Sequence, residues 1–291
     1  PPRSTLFPYT TLFRSYRQYK IKLQPPRNWK EFNIIAGFFT QNSNPLSPTK
    51  YGTAISAAYN ECLIPEIYVR MRAYGSKIYD DKFKVVFRSH QTIKAYENFI
   101  ELIKSSLPNY MKLNDIMVVD EFLNGNISML VTYPSFISNI NDLQRNCQIG
   151  QVGFAHIPGK SPILGGWSLG VSNKSANKEE AFRFIDWACS EDMANYSTIM
   201  AGQSAIAKVF DNNELISLYP WLPLYKNIYD YAKPIIPPYT TSKDIIPQDK
   251  IDRTIAKWLY KLMRDEISIE KAIENTHLEL IELFIAYGYN Q

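Results

Sequence analysis

Cysteine and histidine are scarce in this sequence: Cys62, Cys147 and Cys189, and His90, His156 and His277. An odd, widely spaced set of three cysteines excludes a disulfide framework, and no CxxC pair is present to build a metal knuckle. No run of 18 apolar residues occurs, which removes a transmembrane helix from consideration. A phosphate-cradling GxxxxGK[ST] loop is absent too. One-signed charge is also missing. The formal net charge is +4, and setting aside residues 1–15 removes Arg3 and Arg14 but no acid, leaving +2. Lysine and glutamate alternate along the helical stretches, so there is no basic stripe for nucleic acid, and no nucleic-acid partner is expected. No cofactor is expected either.

What the chain does have is apolar and aromatic content. Hydrophobic residues make up 45% and aromatics 14%, with 20 tyrosines among 291 residues. That composition supports a real core in one large or two modest domains. Asn28 is placed to cap a helix beginning at Trp29. Residues 57–75 read as a helix ended by Gly75, and Ser89 caps another whose Ile93, Tyr96, Ile100 and Ile103 share a stripe. Asn114 or Asp115 starts a further helix, residues 177–200 continue the series, and two long helices close the chain. Between them lie short strand patterns, "YGTAIS", "ISMLVTYP", "QVGFAHIPG" and "GGWSLGVS", and a hairpin around Asp80-Asp81. Short strands alternating with longer helices predict an α/β fold.

Three motif readings compete. Gly166-Trp167-Ser168-Leu169-Gly170 matches G-x-S-x-G, the nucleophile elbow of serine hydrolases. That elbow requires a strand ending at the serine and a helix starting there, whereas the strand pattern here runs on through Val171 and the helix starts near Asn177. Only His277 follows as a base, inside a helical pattern. Acidic pairs such as Asp80/Asp81, Asp120/Glu121 and Glu179/Glu180 sit in turns or on helix faces, where solvated charge explains them better than glycosidase chemistry. The third pattern is aromatic residues beside turn residues: Tyr59-Asn60 at a helix start, Tyr133-Pro134 at a strand end, Trp167 after Gly165-Gly166, and Tyr239 after Pro237-Pro238. A flat ring there offers a platform for the C–H face of a sugar, with amides and hydroxyls alongside.

In order along the chain, "LQPPRNWKEF", "YGTAIS", "RAYGSKIYDD", "FRSHQTIKAYENFIELIKSSLP", "DEFLNGNISMLVTYPSF", "VGFAHIPGKSPILGGWSLGVSNKSANKEEAFRFIDW" and "AGQSAIAKVF" resemble the successive segments of family 1 extracellular solute-binding proteins, the sugar receptors of ABC importers. The resemblance runs from about residue 16 to residue 291. It implies a periplasmic-binding-protein-like, type II clamshell in which two α/β lobes close on a ligand by hinge bending. It further implies a non-catalytic receptor outside the cell, periplasmic or as a surface lipoprotein, that passes a carbohydrate to ABC permease subunits. Contact with a membrane would come only through a lipid anchor or the permease, and the full-length protein would be a monomer. Carried over by position, the ligand residues are Tyr59, Asn60, Tyr133, Ser135, Gly166, Trp167 and Tyr239. Tyr133 stands where the family commonly has Trp or Gly-Pro, and Tyr74-Gly75 stands for its GG before the Asp turn, which leaves the ligand open. A serine hydrolase using Ser168 and a receptor for a non-sugar solute remain the alternatives.

The resemblance also implies a fragment. Residues 16–163 and 213–291 would form a C-terminal lobe, residues 164–212 would return to an N-terminal lobe that is mostly missing, and a signal peptide would be missing with it. An apolar face including Phe182, Ile185 and Trp187 should then stand exposed. "PPRSTLFPYTTLFRS", residues 1–15, resembles a translated sequencing adapter and is set apart from fold reasoning.

Overall fold

The computed structural model describes residues 23–140, 152–165, 168–201, 204, 206–219, 221–228, 230, 232–234 and 244–291. Residues 1–15, Cys147, Gly166, Trp167 and Tyr239 lie outside them. In chain order the helices are α1 (Trp29–Phe38), α2 (Asn60–Ala73), α3 (His90–Ile103), α4 (Asp115–Leu123), α5 (Ile137–Ile140), α6 (Lys178–Ala188), α7 (Glu191–Ala201), α8 (Asn213–Leu218), α9 (Leu222–Ile228), α10 (Gln248–Met263) and α11 (Ile269–Ala286). A two-residue strand β1 (Ile163–Leu164) pairs in parallel with β2 (Lys233–Pro234), Ile163 opposite Lys233 and Leu164 opposite Pro234.

Helix starts follow local chemistry. The side chains of Asn28, Ser89, Asn114 and Ser268 accept from the backbone N–H of Glu31, Thr92, Met117 and Lys271, satisfying donors that the first turns of α1, α3, α4 and α11 leave free. At its far end α2 stops as Gly75 requires. Gly75 adopts φ 76°, and Ser76 N–H reaches back 2.8 Å to Met71 O, the closure that a left-handed residue after a helix permits. The hairpin around Asp80-Asp81 forms, with Tyr79 bridged to Val85 and the Asp80 carboxylate accepting from Lys82 N and Lys84 N at 2.9 Å each.

The main core is helical. α2 packs on α3, α10 on α11, and the two pairs stack, α10 against α2 and α11 against α3. Ile251, Ile255 and Leu259 of α10 recur every fourth residue, meet Ala272, Ile273, Leu280 and Phe284 of α11, and share one cluster with Trp29, Phe32, Leu63, Ile67 and Phe99. In α3 the deepest stripe is Ala95, Tyr96, Phe99 and Leu102, while Ile93, Ile100 and Ile103 flank it half-buried. The sequence stripe therefore belongs to the right face, rotated by about one position, with Phe99 buried at its centre and its ring centroid 5.2 Å from the Arg70 guanidinium.

Arg70 is 1% exposed. Its guanidinium bonds Glu66 Oε2 at 2.9 Å and lies 4.0 Å from the centroid of Trp29. A charge buried this deeply is tolerated because it is paired and stacked on aromatic faces.

The strand expectations hold only in part. "YGTAIS" runs beside "ISML" in parallel: Tyr51 bridges Ile127, and Met129 N–H donates to Gly52 O at 3.0 Å. Gly52 is needed there because α1 presses on it. A Cβ at that position would lie 1.9 Å from Ala36 O. By contrast residues 152–157 and Ser168–Ser172 form no strand. Ser168, Leu169 and Gly170 are exposed, and among the described residues no strand pairs with them, so their β-like composition has no ladder to join there.

A second cluster joins Ile137, Ala194, Val209, Phe210, Leu215, Trp221, Leu222 and Tyr225, with the rings of Phe210 and Tyr225 stacked at 5.9 Å. α6 buries none of its residues. Phe182 and Trp187 are exposed as expected, Phe184 is exposed with them, and Ile185, expected exposed, is half-buried. Among the described residues no helix is long and apolar enough to cross a membrane.

Candidate ligand-binding site

Three elements meet where the buried segment Thr53–Ala57 runs out. Ala57 N–H and Ala58 N–H both donate to Leu113 O, at 3.0 and 2.9 Å, which ties the start of α2 to the start of α4. The Tyr260 hydroxyl of α10 donates to Ala57 O at 3.2 Å from behind. The two helix starts are thereby held side by side.

Tyr59 is the N-cap residue of α2, yet its side chain makes no capping bond. The ring instead stands 54% exposed, and its hydroxyl accepts from Asn114 Nδ2 at 3.4 Å. Asn114 serves both helices, because its Oδ1 caps α4 through Met117 N at 2.9 Å. Asn60 follows Tyr59, half-buried in the first turn of α2. Ile116 and Met117 are exposed on α4 next to this pair.

Tyr133 enters from a different part of the chain. It is fixed by Pro134, which opens a 3-10 turn through Phe136, and its ring is 42% exposed. Its hydroxyl is held well above the usual tyrosine range by burial and by the negative potential of Asp115, Glu66 and Cys62. Tyr133 is thus partly exposed, with its hydroxyl in the field of a polar cluster.

That floor consists of Ser56, Cys62, Glu66 and Asp115. Burial raises the Asp115 carboxyl above its ordinary value, opposed by the nearby Ser56 and Cys62 donors. Glu66 is likewise raised by burial, against the pull of Arg70, and its Oε1 accepts from Ser56 N at 3.5 Å. Burial pushes the Cys62 thiol up, and burial with the Cys62 and Glu61 charges pushes Tyr260 up to about 12. At neutral pH the cluster therefore offers neutral hydroxyls and poorly solvated carboxyl oxygens, groups suited to directional hydrogen bonds with a polyhydroxylated solute.

Of the sequence candidates, Tyr59, Asn60 and Tyr133 are brought around this floor. Ser135 is exposed in the 3-10 turn, where its backbone oxygen accepts from Ser138 Oγ at 3.4 Å. Gly166, Trp167 and Tyr239 fall outside the described residues. Ser168 is exposed in an irregular segment, and the next helix starts only at Lys178, so the strand-to-helix elbow that would activate a nucleophile is not formed. Asn114, Asp115, Cys62, Glu66 and Tyr260 were not singled out from sequence. The one available signal was that Asn114-Asp115 opens a helix, as Tyr59-Asn60 does. Among the described residues no group of His, Cys, Asp and Glu could hold a metal ion.

Exposed rings beside hydroxyl and carboxyl groups are chemistry that a small-solute pocket can use. The chain belongs to the family described as bacterial extracellular solute-binding protein, which matches residues 6–222, a span that begins within the opening segment. Among solved structures, maltose-bound MalE3 of T. maritima matches with a TM-score of 0.80 at 21% identity, covering 95% of this chain and 69% of that one. A solute-binding protein of Agrobacterium vitis S4 with bound D-mannitol matches with a TM-score of 0.77 at 17% identity, covering 99% and 72%. The fold is accordingly that of the type II periplasmic binding proteins, an α/β class. A curated relative, the probable amino-acid ABC transporter periplasmic-binding protein y4oP of Sinorhizobium fredii, is 20% identical over 240 residues, 80% of this chain. The chain spans about half, 53%, of that relative's length.

Proposed function

We propose that this chain forms part of a non-catalytic receptor that captures a sugar, polyol or oligosaccharide outside the cell and hands it to the permease of an ABC importer. The observation that carries the reading is that two exposed rings from separate segments share one polar neighbourhood: Tyr59 accepts from Asn114, and Tyr133 lies in the field of the next residue, Asp115, and of Glu66. Rings stack on C–H faces and the floor takes up hydroxyls, a pairing that recognises polyols through many modest contacts and provides no reacting group. The fold neighbours bound to maltose and D-mannitol support the ligand class. Residues 16–163 and 213–291 act in this reading as one lobe. The shared core of α1–α3 with α10 and α11 supports that grouping.

A second reading has one observation in its favour. Asp115 and Glu66 place carboxyls beside Tyr133, and the curated relative is named for amino acids, so an amine-bearing solute is the alternative. Titration by ligand-observed NMR with maltose, D-mannitol, ribitol and a panel of amino acids separates the two. Binding of a polyol that weakens about tenfold in Tyr59→Ala and in Tyr133→Ala supports the first reading, each ring contributing on the order of 1 kcal/mol. Preference for amino acids supports the second, and binding indifferent to both substitutions removes the site.

A further inference from the structure

The last turn of α10 is bonded to both segments that carry the Tyr59 ring. The Tyr260 hydroxyl donates to Ala57 O at 3.2 Å, and in the opposite direction the Tyr110 hydroxyl donates to Met263 O, also at 3.2 Å. Ala57 lies just ahead of Tyr59, the N-cap residue of α2. Tyr110 opens the 3-10 turn Tyr110–Lys112 that leads into α4. The two segments are also joined to each other. Ala57 N–H and Ala58 N–H donate to Leu113 O, and Leu113 N–H donates to Tyr110 O at 3.1 Å. The bonds close a circuit from Tyr260 to Ala57, on to Leu113 and Tyr110, and back to α10 at Met263.

Each bond of the circuit answers a local need. Ala57 is 0% exposed, so its carbonyl gives up water on folding and requires a donor from the protein. Met263 ends α10, and its carbonyl is among those that the last turn leaves without a partner inside the helix. Both tyrosine rings pack on the main core. Burial, with the Cys62 and Glu61 charges, pushes Tyr260 up to about 12, and burial with Asp265 raises Tyr110, so both hydroxyls keep their protons and remain donors at neutral pH.

A single hydrogen bond fixes a separation and still allows a pivot. Two opposed bonds from one helix turn, closed through Leu113, fix orientation as well. Asn114 follows Leu113 and holds the Tyr59 hydroxyl at 3.4 Å, so what the circuit fixes is passed directly to the exposed ring. We infer that Tyr110 and Tyr260 are positioning residues of the solute site, opposed struts through which α10 sets the place of the Tyr59 ring and of the start of α4. The inference rests on the reading of Tyr59 as a solute contact.

Tyr260→Phe and Tyr110→Phe each remove one hydroxyl and keep the ring. Native-state hydrogen exchange at Ala57, Ala58 and Met117 tests the circuit without any solute. Each variant should speed exchange at both helix starts by at least about threefold, including the start that it does not touch. The double variant should add little to the larger single effect, because either loss opens the same circuit. Titration with maltose and with D-mannitol reads the consequence. Each variant should weaken binding by about threefold or more, and that loss should vanish when Tyr59 is already replaced by Ala. Asn28→Ala, which removes the α1 cap outside the circuit, controls for lost stability and should lower the urea midpoint without weakening binding. Should Tyr260→Phe fold poorly, Tyr110→Phe carries both measurements. Faster exchange only at the start that each tyrosine touches overturns the inference. So does a binding loss of equal size in the Tyr59→Ala background, or one matched by Asn28→Ala. Coupled exchange with binding indifferent to Tyr59→Ala overturns instead the reading on which the inference rests.

Discussion

Asn114 joins two helices with one side chain: its Nδ2 donates to the Tyr59 hydroxyl at 3.4 Å while its Oδ1 accepts from Met117 N at 2.9 Å. The start of α4 and the exposed ring at the start of α2 are therefore one mechanical unit. Asn114→Ala removes both contacts and should cost about 1 kcal/mol, the usual value of a lost N-cap, read as a lower midpoint in urea with unchanged slope. Asn114→Asp keeps an acceptor for Met117 N–H but has no donor for Tyr59. It should hold stability and weaken solute binding, which separates the cap from the positioning of the ring. Equal effects of the two variants on binding would contradict that division.

Gly52 gives a prediction of the opposite kind, where an added methyl is harmful. The added Cβ would sit 1.9 Å from a backbone carbonyl oxygen of α1, and no rotamer change relieves a clash with backbone. Gly52→Ala should force α1 away from the segment and cost at least 1–3 kcal/mol, the range of ordinary overpacking. Chemical denaturation of the purified variant measures it, and a loss below about 0.5 kcal/mol would mean that α1 shifts freely.

Arg70 tests how the floor is held. Arg70→Met leaves Glu66 buried without its cation and should destabilise by about 3–5 kcal/mol, whereas Arg70→Met with Glu66→Gln should recover most of that. The recovery in the double variant is the diagnostic measurement, since a purely steric role for Arg70 would leave it as unstable as the single one. Because Glu66 Oε1 accepts from Ser56 N, the single variant should also loosen the segment end beneath Tyr133, seen as faster amide exchange at Ala57 and Ala58.

These residues show what could be read from sequence and what could not. Caps at Asn28 and Ser89, the stop at Gly75 and the hairpin at Asp80 depend on a few neighbouring residues, so their chemistry is visible in the string itself. The exposed face of α6 was expected from the family resemblance, which puts residues 164–212 against a further lobe. Tyr59 and Tyr133 were legible one at a time, as rings beside turns. That both lie beside Asn114-Asp115 was not, because it depends on chain paths that bring separated segments together. Arg70 was invisible for a related reason: in the string it is one more charge on a helix, and only packing against Trp29 and Phe99 makes it part of the core. The strand pattern after Ser168 misled because β-like composition reports fit to a sheet, and among the described residues no strand pairs with it.

Asp252 carries the pH prediction. Its Oδ1 accepts from the Tyr68 hydroxyl at 2.7 Å and from Gln248 Nε2 at 2.8 Å, linking α10 to α2. Burial nevertheless raises its carboxyl above the ordinary value, outweighing both hydrogen bonds. A carboxyl whose folded pKa lies above its unfolded one favours the fold most when protonated. Its contribution is fully present below the unfolded pKa and is lost as pH rises through the folded one. At neutral pH the charged form is therefore a liability. Asp252→Asn retains an acceptor oxygen for both Tyr68 and Gln248 without the charge. It should unfold at a higher temperature than the parent chain near pH 7, with the gap closing on acidification as the parent carboxyl takes up its proton. Thermal melts of the two proteins across that range measure the gap. A variant that is less stable at neutral pH, or a gap that widens on acidification, would show that the Tyr68 and Gln248 bonds outweigh burial and that the carboxylate holds α10 on α2 as an anion.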